Sequence, residues 1–361
     1  MDMRSVGVEE ELLLVDSDSG QALALSAAVL GCVPKCDEVA LTSELTRQQI
    51  ETNTQPCKSL EELQGEVRRW RRAAADAASG RNASIAALAT SPLPVDPSIT
   101  SSPRYKRMVD QFGLTAEEQL TCGCHVHVEI ESDAEGVAVL DRIRGWLPCL
   151  RALSVNSPFW QGQDSGYASF RSQVWGRWPS AGPTELFGTP ETYHATIQAM
   201  VESKTLLDAG MVYFDARLSL ENPTVEMRVA DVCLLADDAV LLAALTRALV
   251  ETAARSWRAG EPPEPIRVEL LRLSGWRAGR SGLEDDLVGA DGQSAPASQV
   301  LRALLDHVAP VLAEHGELDI VEELLAAVLE RGTGAAAQRR IYRQNGQLTD
   351  VVAHAVKATM S

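Results

Sequence analysis

Glu9 and Glu11 lie two residues apart in Val6-Gly7-Val8-Glu9-Glu10-Glu11-Leu12-Leu13-Leu14, a stretch whose remaining residues read as a buried strand. Side chains alternate across a strand, so both carboxylates must point to the same face. Two like charges held side by side in a buried segment are very costly unless a cation or strong donors neutralise them. The pair therefore asks for a metal, and other segments offer ligands of the same kind.

At 361 residues the chain is long enough for one large domain or two ordinary ones. Its 45% hydrophobic and 23% charged content is that of a globular protein in water. A net charge of -17 argues against nucleic acid or an anionic membrane as the main partner. A local arginine cluster can still grip an anionic substrate. No apolar run reaches bilayer length, and Met1-Asp2-Met3-Arg4 enters a strand-like pattern without a secretory signal, so a cytoplasmic enzyme is expected. The seven cysteines (32, 36, 57, 122, 124, 149 and 233) are expected to be reduced. Neither Cys32/Cys36 nor Cys122/Cys124 has zinc-knuckle spacing, which favours packed, inert thiols over ligands.

Strand-like segments cluster early, at about 4–15, 47–54, 84–89, 121–131, 212–221 and 224–230. Helices are expected over 58–79, where Ser59 and Glu62 form a capping box ahead of Leu60, Leu63, Val67 and Trp70, and over 134–154 and 189–207. From Ala236 onward the chain reads as nearly all helix. It is broken by Gly260-Glu261-Pro262-Pro263 and by a Gly/Ser-rich piece, 279–298, expected to be a mobile loop. Strands first and helices last predict an α+β protein with an antiparallel sheet. One domain over 1–361 is expected, with a sheet-rich core at about 4–235 and a helical part at about 236–361. No G-x-G-x-x-G or Walker A string occurs, so a bound nucleotide is held by neither a Rossmann turn nor a P-loop.

Four further segments behave like the first. His125, His127 and Glu129 alternate with Val126, Val128 and Ile130. Glu226 and Arg228 share a face opposite Val225, Met227 and Val229. Glu44 and Glu51 flank a segment that ends as a strand, and Arg171 stands alone among aromatic and apolar residues. Glu10 points away from the Glu9/Glu11 face and reads as structural or solvated. Taken singly, an H-x-H strand is more often a half-solvated face, and a Glu-x-Arg pair is a weak surface ion pair. Together, one histidine among several carboxylates with arginine nearby suits Mg²⁺ or Mn²⁺ handling phosphate oxygens. Zinc hydrolysis favours more His or Cys.

Several motifs resemble those of the type 2 glutamate–cysteine ligase family, the bacterial carboxylate–amine ligases: Gly7-Val8-Glu9-Glu10-Glu11-Leu12, Cys122-Gly123-Cys124-His125-Val126-His127-Val128, Asn156-Ser157-Pro158-Phe159-Trp160-Gln161-Gly162, Gly166-Tyr167-Ala168-Ser169-Phe170-Arg171, Thr224-Val225-Glu226-Met227-Arg228 and Gly332-Thr333-Gly334-Ala335-Ala336-Ala337-Gln338-Arg339. The resemblance covers nearly the whole chain. It implies a glutamine-synthetase-like fold, a curved antiparallel sheet with helices packed on one side. It also implies ATP as co-substrate, Mg²⁺ or Mn²⁺, and formation of a γ-glutamyl amide between L-glutamate and the amine of a small amino acid through γ-glutamyl phosphate. A homodimer is what the family suggests. A metal-dependent hydrolase using His125, His127 and the carboxylates, and a non-catalytic nucleotide-binding homologue, are the competing readings.

Position by position, the resemblance implies that Glu9, Glu11, Glu44, Glu51, His125 and Glu226 are metal ligands. Arg228 is implied to contact the transferred phosphoryl group, and Arg217 to add positive charge near the phosphates. Arg171 is implied to hold a substrate carboxylate, and His127 to line the glutamate pocket. The chain departs from the family at Tyr213-Phe214-Asp215-Ala216-Arg217-Leu218, where Trp-Trp-Asp-x-Arg-Pro is usual, and at Cys124 after Cys-Gly. Those changes leave the metal chemistry intact and put the acceptor amine, cysteine or another small amino acid, in question.

Overall fold

The computed structural model describes residues 3–32 and 41–361. Its largest sheet is antiparallel. Strand β1 (Val6–Asp16) pairs with β3 (Gln49–Asn53), which pairs with β2 (Leu41–Ser43); β4 (Ala83–Ala86) also pairs with β1. On its other edge β1 pairs with β5 (Gly123–Glu129). A short hairpin of β6 (Phe159–Trp160) and β7 (Gln163–Asp164) stands apart, and β8 (Ala216–Leu218) and β9 (Thr224–Asp231) complete the sheet in the order β2-β3-β1-β5-β9-β8.

Period-2 alternation divides the two faces of this sheet. Val6 and Val8 of β1, Val126 and Val128 of β5, and Val225 and Met227 of β9 enter one buried apolar core. Helices Asp133–Ile143, Leu147–Ser154 and Ala236–Arg258 cover that face. The last of these is buried along most of its length. The opposite face carries the charged residues. The α+β class with helices on one side of an antiparallel sheet is what the chain adopts.

Helix Leu60–Ser79 begins as read from the sequence. The Glu62 amide donates to Ser59 Oγ at 3.1 Å, Glu62 Oε2 accepts from the Ser59 amide at 3.2 Å, and Leu60, Leu63, Val67 and Trp70 are buried. Other boundaries differ. The helix expected over 134–154 is two helices, because the chain turns at Arg144–Trp146 and restarts with Pro148 in its first turn, where a missing N–H costs nothing. The strand expected over 212–221 shrinks to Ala216–Leu218, between the 3-10 turn Ala209–Met211 and a turn at Ser219–Pro223. Residues 279–298, expected to be a loop, hold a helix end and an ordered hairpin, β10 (Asp286–Val288) with β11 (Ser294–Pro296). No described helix is long and apolar enough to cross a membrane.

Candidate active site

Register turns separate motifs into one surface. Glu9 stands opposite Asn53 on one side and His125 on the other. Glu11 stands opposite Glu51. His127 lies between Gly7 and Glu226, and Glu226 is opposite Arg217. Glu44 joins from the turn between β2 and β3, so all six expected metal ligands face one cavity of about 420 Å³. Three overlapping ligand sets occur: Glu9/His127/Glu226, Glu9/Glu51/His125 and Glu11/Glu44/Glu51, in each of which the candidate ligand atoms lie within 4.8 Å of one another.

The charges are graded across this cavity. At the β9 end, Glu226 is buried, accepts from Arg217 Nε at 2.7 Å and pairs with Arg228 Nη1. Burial alone raises its carboxyl, yet Arg228 and Arg217 outweigh that and hold it at about 2. In the middle, Glu9 contacts His125 Nδ1 at 3.3 Å and His127 Nε2 at 3.2 Å. Burial opposes its ionisation, but the two imidazoles keep it well below the usual carboxylate range. At the β3 end no described cation pairs with Glu44 or Glu51, because Arg104, which also lines the cavity, is taken up by Asp208 at 2.8 Å. Burial, then the Glu9 and Glu11 charges, push Glu51 up to about 7. Burial, then Glu51 and Glu11, drive Glu44 well above its ordinary value.

That electrostatic conflict fits the site to a divalent cation. Three carboxylates crowd together with little internal compensation: Glu11 accepts from the Gly123 amide at 2.6 Å, and Glu51 from Thr42 and Asn53 at 3.1 and 3.2 Å. His125 is buried and its Nε2 has no hydrogen-bond partner. Hard oxygen donors plus one or two imidazoles match Mg²⁺ or Mn²⁺. The cysteines stay out of this set. Among the described residues none joins a candidate metal cluster; Cys122 and Cys124 are buried, and Cys36 lies outside the described residues.

Glu10, on the covered face, is structural. Arg71 grips it with two hydrogen bonds of 2.8 and 2.6 Å and donates its remaining protons to the carbonyls of Cys233, Leu234 and Thr359.

Arg171 does not line the acidic cavity. It lies behind Trp175 and faces a second cavity of about 230 Å³, which shares Trp175 and Arg228 with the first. Gly123 admits it: a Cβ there would collide with Arg171 Nη2 and stand 3.2 Å from His125 Nε2. Alternation and spacing could not find what holds Arg171. Asp231 accepts from the Asn156 amide at 2.8 Å, Ser157 Oγ at 2.7 Å and Ser169 Oγ at 2.8 Å, and lies 3.9 Å from Arg171 Nη1. Gln338 Nε2 donates to the Asn156 backbone and side-chain oxygens at 2.8 and 2.7 Å. Two of the sequence motifs thus meet at the buried Asp231 carboxylate, and a third reaches it through Asn156. Gly334 is required beside Asn156, whose Oδ1 occupies the space of any Cβ. In the departing segment Tyr213 lines the acidic cavity and Phe214 the second one.

By its family, this chain is an ATP-dependent ligase. The model of glutamate-cysteine ligase family 2 matches residues 5–357, and the chain belongs to that family. Relatives in Streptomyces avermitilis and Streptomyces coelicolor, named "Putative glutamate--cysteine ligase 2-1" and "Putative glutamate--cysteine ligase 2", are 55% and 53% identical, covering 99% of this chain and 99% and 100% of theirs. The fold is also similar to that of Francisella tularensis glutamate–cysteine ligase solved with AMP (TM-score 0.74, 14% identity, 99% of this chain and 89% of that one). A bifunctional glutathione synthetase from Pasteurella multocida gives a TM-score of 0.72 at 17% identity, over 99% of this chain and 52% of that one.

Proposed function

We propose that this ligase joins the γ-carboxyl of L-glutamate to the amine of a small amino acid, cysteine or another, by way of γ-glutamyl phosphate. The observation that carries the reading is the convergence of Glu9, Glu11, Glu44, Glu51, His125 and Glu226 on one cavity with Arg228 and Arg217 at its edge. Those six side chains would hold Mg²⁺ or Mn²⁺, which neutralises phosphate oxygens.

A free carboxylate resists attack by an amine, and phosphorylation converts its oxygen into a leaving group. Arg228 is placed to offset charge that develops on the transferred phosphoryl group. Arg217, 2.7 Å from Glu226, joins Arg228 in keeping that carboxylate ionised and adds to the positive potential. His127, held by Thr224 at 3.0 Å, is assigned to the glutamate end of the cavity. Trp175 and Tyr213, with ring centroids 4.7 Å apart, wall the site and limit water near the activated acyl group. The hydrolase alternative gains no support, because the histidines are outnumbered by carboxylates in each ligand set.

The test is ADP release with glutamate fixed and a panel of amino acids varied, the products being weighed by mass spectrometry. ADP is expected only when glutamate, a divalent cation and a suitable amine are all present. ADP release that no amine stimulates would overturn the proposal.

A further inference from the structure

The second cavity, on the far side of Trp175 and Arg228 from the carboxylates, is cationic in an otherwise acidic protein. Arg151, Arg171, Arg228 and Arg272 line it against one acid, Asp215. Burying guanidinium groups is expensive unless each finds an anion. Arg228 has Glu226, and Arg151 has Asp215 at 3.1 Å. Arg171 has only Asp231, at 3.9 Å, and among the described residues its guanidinium donates no hydrogen bond. Its side chain is 3% exposed, and burial pulls its pKa below the ordinary arginine value. The Nε atoms of Arg151, Arg171 and Arg228 are all buried without a hydrogen-bond partner. Several charge-assisted donors therefore surround one small chamber with too few acceptors.

Other parts of the chain support this geometry. Asp231 has three hydrogen bonds from Asn156, Ser157 and Ser169 besides its long contact with Arg171, so it is already committed. Gly275 leaves room for Arg151, since a Cβ there would stand 2.6 Å from Arg151 Nη1. The chamber also contains Asp215, which a bare phosphate would find repulsive and an ammonium group would not.

We infer that this second chamber binds the zwitterionic head of an α-amino-acid substrate, its carboxylate on Arg171 and Arg151 and its ammonium beside Asp215. Planar guanidinium forks suit a carboxylate, and the chamber's shared wall with the acidic cavity brings the bound amino acid next to Arg228. The inference rests on the ligase reading and extends it by adding Arg151 and Asp215 to the recognition of an amino acid. Two sources fit the same chemistry, glutamate itself and the acceptor, and the experiment separates them.

The test compares wild type with Arg151→Met and, because that change could disturb folding, with Gly275→Ala, which crowds Arg151 without removing it. KM is measured separately for glutamate, acceptor and ATP. A rise of roughly 10- to 100-fold is expected for one amino acid, the loss of a charge-assisted hydrogen bond, with the ATP value almost unchanged. A rise for glutamate assigns the chamber to the donor, and a rise for the acceptor assigns it to the acceptor. Unchanged amino-acid KM values in both variants, or a rise confined to ATP, overturn the inference. Calorimetry keeps this result separate from the ligase reading. L-glutamate and the panel amino acids are titrated into wild type and Arg151→Met, beside 4-aminobutyrate, which lacks the α-carboxylate. Weaker binding of an amino acid by the variant, with no change for 4-aminobutyrate, supports the chamber whether or not ADP is released. Equal binding by both proteins counts against it.

Discussion

On the covered face of β1, Glu10 is enclosed by the two-pronged Arg71 contact, itself tied to three backbone carbonyls. On the open face of the same strand, Glu9 leans on two imidazoles, and Glu11 crowds against Glu44 and Glu51. The residue type and the strand are shared. What differs is whether the fold supplies the counter-charge. Where it does, the carboxylate fastens helix Leu60–Ser79 to the sheet and to the chain's end. Where it does not, negative charge is left over, and this is the charge we propose a cation neutralises.

Changing each face in turn should separate these roles. Glu11→Gln is expected to lower kcat on the order of 10²- to 10³-fold, the scale of losing one group that stabilises transition-state charge, while the thermal midpoint holds or rises as the carboxylate cluster relaxes. Steady-state ADP release beside a thermal melt reads both quantities. Glu10→Gln should do the reverse. Leaving Arg71 buried without its partner costs about 3–5 kcal/mol of stability, yet kcat per folded molecule should stay near wild type. Denaturant titration with activity corrected for folded fraction checks it; a kcat loss equal to that of Glu11→Gln would show that the two faces are not independent.

A smaller effect distinguishes the faces by pH. In the metal-free protein Glu51 is raised from 4.5 to about 7, with burial the largest cause and the Glu9 and Glu11 charges next. Between those values the folded form keeps a proton that the unfolded chain has lost. The stability this contributes is complete below 4.5 and disappears as pH rises through about 7. Glu44 shifts in the same direction. Glu226, held at about 2, adds a term that is constant above 4.5 and so does not oppose the trend. Relative to Glu51→Gln, the metal-free wild type should therefore lose a few degrees of thermal midpoint from pH 5.5 to 7.5. Magnesium should restore more at pH 7.5 than at 5.5, because binding competes with protons. Parallel melting curves for the two proteins at both pH values would remove the carboxylate conflict from the account.

Much of this site follows from local periodicity. The two-residue repeat alone puts Glu9 with Glu11, His125 with His127, and Glu226 with Arg228, and it sends Glu10 to the other face; all of these placements appear in the sheet. The Ser59/Glu62 cap and its apolar spacing located the start of helix Leu60–Ser79 in the same way. Arg171 was recognisable as a lone cation among apolar residues, but not its place behind Trp175. Asp231 carried no signal, because a single acid at a strand end looks like any solvated residue.

Chain chemistry by itself determined which side chains share a face, since pleating is a property of each strand taken alone. The tertiary structure decided which faces meet. Pairing Glu9 with His125 and Glu51 with Glu11 depends on register between segments far apart in the chain, set by packing of Val8 against Val126 beneath the first pair and of Leu12 against Ile50 beneath the second. The second chamber arises only where helices Leu147–Ser154 and Val268–Ser281, the Ala181–Pro183 loop and strand β9 close around Arg171. No local repeat encodes that closure.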